Sequence, residues 1–189
     1  MNARGPTSRA LRLLYATIAW NVLTVIISLP AAVVAGSVAL AGFGLDSAVE
    51  VAASIVAVAA LRGSADHQAR YLRLIRLAFV AIAVYLVVQA VYVLARRDEP
   101  DPSPVGIVLL ILTVIVMTTL AVLKRRAALQ AGNAVAVAEA RVTLIDSGDA
   151  ALVLVALVAN AALGWWWADP LGGLIIAGYS LWEAWEHRG

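Results

Sequence analysis

The chain has 189 residues, 63% of them hydrophobic, with a formal net charge of +2, a pI of about 9.3 and a mean hydropathy of +0.91. Soluble domains are about half apolar; here the excess is spread along the whole chain, which excludes an ordinary soluble domain and indicates an integral membrane protein. There is no cysteine, so disulfides, thiolate metal sites and cysteine nucleophiles are excluded, and the basic residues lie at the ends of apolar blocks, where topology explains them without a nucleic-acid partner.

The apolar blocks are too long and continuous for alternating barrel strands. The expected fold is therefore all-α, a polytopic bundle of six transmembrane helices. In chain order the predicted spans are 13–36, 37–61, 74–95, 105–123, 142–163 and 170–185, each near the ~20 residues needed to cross the hydrocarbon. The fifth has a helical approach starting near Asn133, and Pro30 is expected to kink the first. The first block has spanning length and no small-residue cleavage motif, so it reads as a span and not as a cleavable signal. The expected organisation is an N-terminal tail (1–12), a six-helix membrane domain (13–186) and a short C-terminal tail (187–189).

Positive charge sets the expected orientation. Arg4, Arg9 and Arg12 precede the first span. Arg62, Arg70, Arg73 and Arg76 lie between the second and third, and Lys124, Arg125, Arg126 and Arg141 between the fourth and fifth; Arg188 follows the sixth. All fall on one side, which is expected to be cytoplasmic with both termini on it, in a bacterial inner membrane. The other side carries only Arg96 and Arg97, beside Asp98, Glu99 and Asp101. Spans one to three and four to six form triplets of opposite orientation. The short match of "LDSA" in span two to "IDSG" in span five admits an inverted 3+3 repeat, a common transporter plan.

Acids interrupt two of these spans. Asp46 and Glu50 in "GFGLDSAVE" are i and i+4, and Asp146 and Asp149 in "IDSGD" are i and i+3, so each pair shares one helix face. An ionised carboxylate at mid-membrane costs about 2.5–3.5 kcal/mol, and no Lys or Arg lies at mid-span to pair with these four. Protons or a bound cation must neutralise them. A site that takes a divalent cation when deprotonated and releases it when protonated is the physical core of a metal/proton exchanger. Its expected ligands, in order, are Asp46 and Glu50, then Asp149, then Asp146.

At these residues the chain resembles the cation diffusion facilitator (cation efflux) family of divalent-metal/proton antiporters. "GSVALAGFGLDSAVEVAAS" looks like the family's second-helix signature leading into a D-x-x-x-D pair, with Asp46 on the first ligand position and Glu50 on the second. "IDSGD" falls where its fifth helix carries H-x-x-x-D or D-x-x-x-D, and "WWWADPLGGLIIAGYSLWEAWE" resembles its turn into helix six. The resemblance implies divalent-metal efflux by alternating access, with metal and protons as the transported partners, membrane lipid around the bundle and no resident cofactor. It also admits a homodimer through the membrane helices. Three departures stand out. Glu50 replaces the usual Asp. Ile145 occupies the position four before Asp149, so that Asp146 must substitute from a neighbouring one. The expected form is a short bacterial member without the family's cytoplasmic C-terminal domain. The all-oxygen donor set favours Mn2+ or Mg2+ over Zn2+, although zinc accepts carboxylates.

Other features read as structural. Asp66 and His67 suit a solvated loop better than an accessory metal site. Trp165, Trp166 and Trp167 mark a membrane interface. Asp169 followed by Pro170 reads as the N-cap and first residue of span six. Asn21 and Thr24 suit interhelical hydrogen bonds. The rival function is a non-transporting membrane protein whose carboxylates serve assembly or metal sensing. An intramembrane aspartate hydrolase would need a paired-acid motif that is not seen, so no enzymatic activity is expected.

Overall fold

The computed structural model describes residues 4–61, 68–131 and 134–186. Asp66 and His67 in the predicted loop, and the tail with His187, lie outside the described residues. Six helices follow one another: α1 (Arg4–Ala35), α2 (Val38–Leu61), α3 (Gln68–Arg96), α4 (Pro104–Ala131), α5 (Ala134–Leu163) and α6 (Ala168–Glu186). Five of them are long and apolar enough to cross a membrane. The sixth, of 19 residues, falls short of that apolarity because it carries Asp169 and Glu183; it packs against α3, α2 and α5 as part of the bundle. The protein is thus a polytopic helical membrane bundle.

Several helices overrun the predicted spans. α4 continues past Leu123 through "KRRAALQA", and α3 begins at Gln68, before Arg70 and Arg73. Lys, Arg, Ala, Leu and Gln are good helix formers, so these ends stay helical after the apolar stretch stops. α5 starts at Ala134, as its expected approach required, and α1 runs through Pro30.

The helices pair as α1 with α2 and α4 with α5, α2 with α3 and α5 with α6, and across the triplets as α1 with α4, α2 with α5 and α3 with α6. These contacts map onto themselves when the triplets are exchanged, apart from the packing of α2 on α6. The slightest of them is α2 against α5, so the two acid-bearing helices diverge and leave room between them.

Polar contacts knit together the end of the bundle opposite the termini. Gly36 and Gly164 adopt φ of 64° and 66°, the left-handed turn that ends α1 and α5 and that glycine adopts without strain. The Asp101 amide donates to the Ala35 carbonyl at 2.8 Å, and Asn160 Nδ2 to the Pro100 carbonyl at 2.7 Å. Asp169 does not cap its own helix as the sequence suggested. It lies inside the first turn of α6, almost fully buried, and accepts from the Val38 amide at 2.7 Å and from the Ser37 hydroxyl. It therefore caps α2, together with Ser37, whose Oγ accepts from the Leu40 amide at 3.0 Å. Gly173 makes this possible, since a Cβ there would lie 2.7 Å from Val38 Cγ1.

Between this clasp and the acids sits a dry plug. Leu40 and Phe43 of α2, Leu86 of α3, Leu110 of α4, Val153 of α5 and Ile176 of α6 belong to one buried cluster. On α2 and α5 these residues lie between the acids and the clasped end. Outward-facing valines, leucines and isoleucines such as Val88, Val108, Ile115 and Val155 are exposed, as lipid contact requires.

Candidate metal centre

All four predicted ligands lie in the interior, and they fall into two tiers. Glu50 on α2 and Asp146 on α5 bring their carboxyl groups within hydrogen-bonding reach of one another, and two carboxyls can bond only through a proton held by one of them. Asp46 and Asp149 lie one helical turn nearer the plug, within electrostatic reach of one another. Asp46 and Asp146 are 4% and 6% exposed; Asp46 Oδ1, Asp146 Oδ1 and Asp149 Oδ2 have no hydrogen-bond partner. Buried carboxyl oxygens without donors are costly, and a cation or proton is what such oxygens can take. Acids of α2 and α5 thus face one another, Glu50 lying nearest Asp146 and within electrostatic reach of Asp149. As they stand, no three acid or histidine side chains among the described residues are gathered as a metal-holding group.

The tier of Glu50 and Asp146 borders a cavity of about 190 Å³. Thr17 and Asn21 of α1, Ala53 and Ser54 of α2, Phe79 of α3, and Val142 and Thr143 of α5 complete much of its wall. Along α1, α2 and α5 these residues lie on the side of the Glu50–Asp146 pair nearer the termini. The cavity thus extends toward the arginine-rich end, and the plug closes the other side.

α1 presents a polar stripe to the site. Thr17, Asn21, Thr24 and Ser28 fall at helical spacing and are all buried. Asn21 Nδ2 donates to Glu50 Oε2 at 2.7 Å, so the expected interhelical bond of Asn21 goes to a site residue. Close approach of α1 is allowed by Gly44, where a Cβ would run into Ser28 Oγ and lie 2.6 Å from Leu29 Cδ2. On the far side of α5, Ser147 bonds Thr118 Oγ1 at 2.7 Å and the Val114 carbonyl at 3.2 Å. This fixes the rotation of α5 against α4 and directs its neighbour Asp146 into the cavity.

Two cavity residues were missed by sequence reasoning. Glu183 on α6 lies within electrostatic reach of all four acids and is hydrogen-bonded by Tyr179 one turn earlier. Lys124, read as a charge beyond the end of span four, is buried in α4 and lines the same cavity. A basic side chain just past the predicted fourth span therefore lines the cavity together with the acids. Helical phase was the available signal: Met117, Leu120, Ala121, Lys124 and Ala128 form one buried stripe, whereas Arg125 and Arg126 are exposed.

Comparison with known proteins agrees with this architecture. Residues 14–187 match the model of the cation efflux transmembrane domain. The cation-efflux pump FieF of Shewanella oneidensis is 31% identical over 176 residues, covering 87% of this chain and 59% of that protein; the chain thus spans well under two thirds of that relative's length. Acids on the second and fifth of six membrane-bundle helices, and a family match over nearly the whole chain, lead to one conclusion: the protein belongs to the cation efflux family.

Proposed function

We propose that this protein exports a divalent metal cation in exchange for protons, by alternating access. The observation that carries this reading is the Glu50–Asp146 pair, two neighbouring carboxyls from different helices at the head of a cavity inside an apolar bundle. A divalent cation reaching the pair replaces the shared proton and draws the carboxylates together. Asp46 and Asp149, with unpartnered oxygens one turn deeper, complete the coordination, and Glu183 adds an acid from a third helix. The proton returns from the opposite side when the metal leaves. As drawn, the cavity serves the arginine-rich side, which by the distribution of Lys and Arg is the cytoplasmic side of a bacterial inner membrane, with both termini on it. The clasp of Asp169 on α2 and the plug beneath it close the outer side.

Hard oxygen donors make Mn2+ and Mg2+ better fitting substrates than Zn2+. The test is transport by the protein in proteoliposomes with Mn2+, Zn2+, Co2+ and Mg2+ and an internal pH dye. Metal-dependent proton flux that vanishes in Asp46→Ala supports the exchanger. Absence of flux with every ion, from protein that is folded and inserted, overturns it.

A further inference from the structure

The cavity that leads to the acids also holds an ammonium. Lys124 is 6% exposed, its Nζ donates to Thr143 Oγ1 at 3.0 Å, and both residues line the cavity with Glu50, Asp146 and Glu183. Thr143 and Asp146 are three residues apart on α5, which makes them neighbours on one helix face with Cβ atoms about 5–6 Å apart. A lysine carries its charge on a flexible four-carbon stem. The motion that would bring Nζ from the Thr143 hydroxyl to the Asp146 side of the cavity is thus one of side-chain rotamer and not of helix position.

From this geometry we propose that Lys124 is a tethered counter-cation that competes with the transported metal for the Glu50–Asp146 carboxylates. It rests on Thr143 when the metal occupies the pair, and moves onto Asp146 when the metal leaves. The inference rests on the exchanger reading, and it adds a residue that tunes affinity and release. A site in apolar surroundings with four acids and no resident cation would bind a divalent ion tightly and release it slowly. Transport needs binding weak enough to let the ion leave. An ammonium within reach of the same oxygens supplies the competition, and the empty site is not left with bare carboxylates to neutralise.

The test is equilibrium binding of Mn2+, and separately of Zn2+, to the purified full chain in detergent by isothermal titration, with transport KM and kcat measured in proteoliposomes. Lys124→Gln removes the competitor and is expected to lower Kd and KM about tenfold, with kcat falling because release slows. Lys124→Arg keeps the charge and is expected to stay near wild type. Thr143→Val removes the resting partner, favours the ammonium on Asp146 and is expected to raise Kd several-fold. A folded Lys124→Gln whose Kd is unchanged or raised overturns the proposal. If Lys124→Gln does not fold, Thr143→Val decides: a raised Kd supports competition and an unchanged or lowered Kd overturns it. Wild-type protein that binds neither ion overturns the exchanger reading and this inference with it. Metal binding by wild type that is indifferent to both substitutions overturns this inference alone.

Discussion

The carboxyls of Glu50 on α2 and Asp146 on α5 lie within hydrogen-bonding reach of one another, and Asn21 of α1 donates to Glu50 Oε2 at 2.7 Å. Three helices are thereby joined through one acid. On the exchanger reading the pair holds a proton that metal binding releases. Glu50→Gln and Asp146→Asn are each expected to weaken Mn2+ binding by about 100-fold or more and to reduce the number of protons released per metal. The double variant is expected to be little worse than either single one, since the two act as a unit. Titration calorimetry in two buffers of different ionisation enthalpy reads both quantities. Proton release that is unchanged in either single variant would show that the pair is not where the exchange takes place.

The clasp at the other end makes a stability prediction. Asp169 accepts from the Val38 amide and the Ser37 hydroxyl in a buried setting. Asp169→Ala leaves the first turn of α2 without its acceptor and is expected to cost about 2 kcal/mol, the scale for losing hydrogen bonds to a charged group. Ser37→Ala, which removes the local cap on Leu40 and one donor to Asp169 but keeps the Asp169–Val38 bond, is expected to cost about 1 kcal/mol. Thermal unfolding in detergent ranks the two; a Ser37 variant less stable than the Asp169 variant would contradict the assignment of Asp169 as the main cap.

The contrast between what was legible in the sequence and what was not follows from these residues. Helix number and membrane class were readable because hydropathy is a property of whole segments. Asp46, Glu50, Asp146 and Asp149 were conspicuous because apolar surroundings make an acid stand out. Lys124 was not, because the adjoining Arg125 and Arg126 make "KRR" look like the end of a span, and only helical phase separates the buried member from its exposed neighbours. Glu183 was hidden in the same way near the end of α6. The partnership of Asp169 with Val38 spans 131 positions and leaves no local trace; a reading confined to its own helix assigns it as the cap of α6.

Two glycines separate packing from helix propensity. A Cβ on Gly44 would collide with Ser28 and Leu29, while one on Gly148 meets nothing within 4 Å. Gly44→Ala is expected to push α1 from α2 and destabilise by about 1–3 kcal/mol. Gly148→Ala is expected to be neutral or to stabilise by up to about 1 kcal/mol, the propensity difference in a helix. Metal transport adds a second readout: Gly44→Ala also disturbs the Asn21–Glu50 bond, so its metal KM is expected to rise, whereas Gly148→Ala leaves KM where it was.

Asn21 itself tests whether α1 orients the site or merely packs on it. Its amide fixes Glu50 Oε2, on the same carboxyl that neighbours Asp146. Substitution by Leu keeps the approximate volume but removes the donor, and the Glu50 oxygen then lacks its partner inside the protein. Outer partners of metal ligands are worth about 10–100-fold in affinity, and Asn21→Leu is expected to fall within that range, with metal KM raised. Asn21→Gln, which retains a donor on a longer arm, is expected to recover part of the loss. The two variants measured side by side in proteoliposomes separate the roles: equal KM in both would mean that α1 serves packing alone, whereas a higher KM for Leu than for Gln identifies Asn21 as a positioning residue for Glu50.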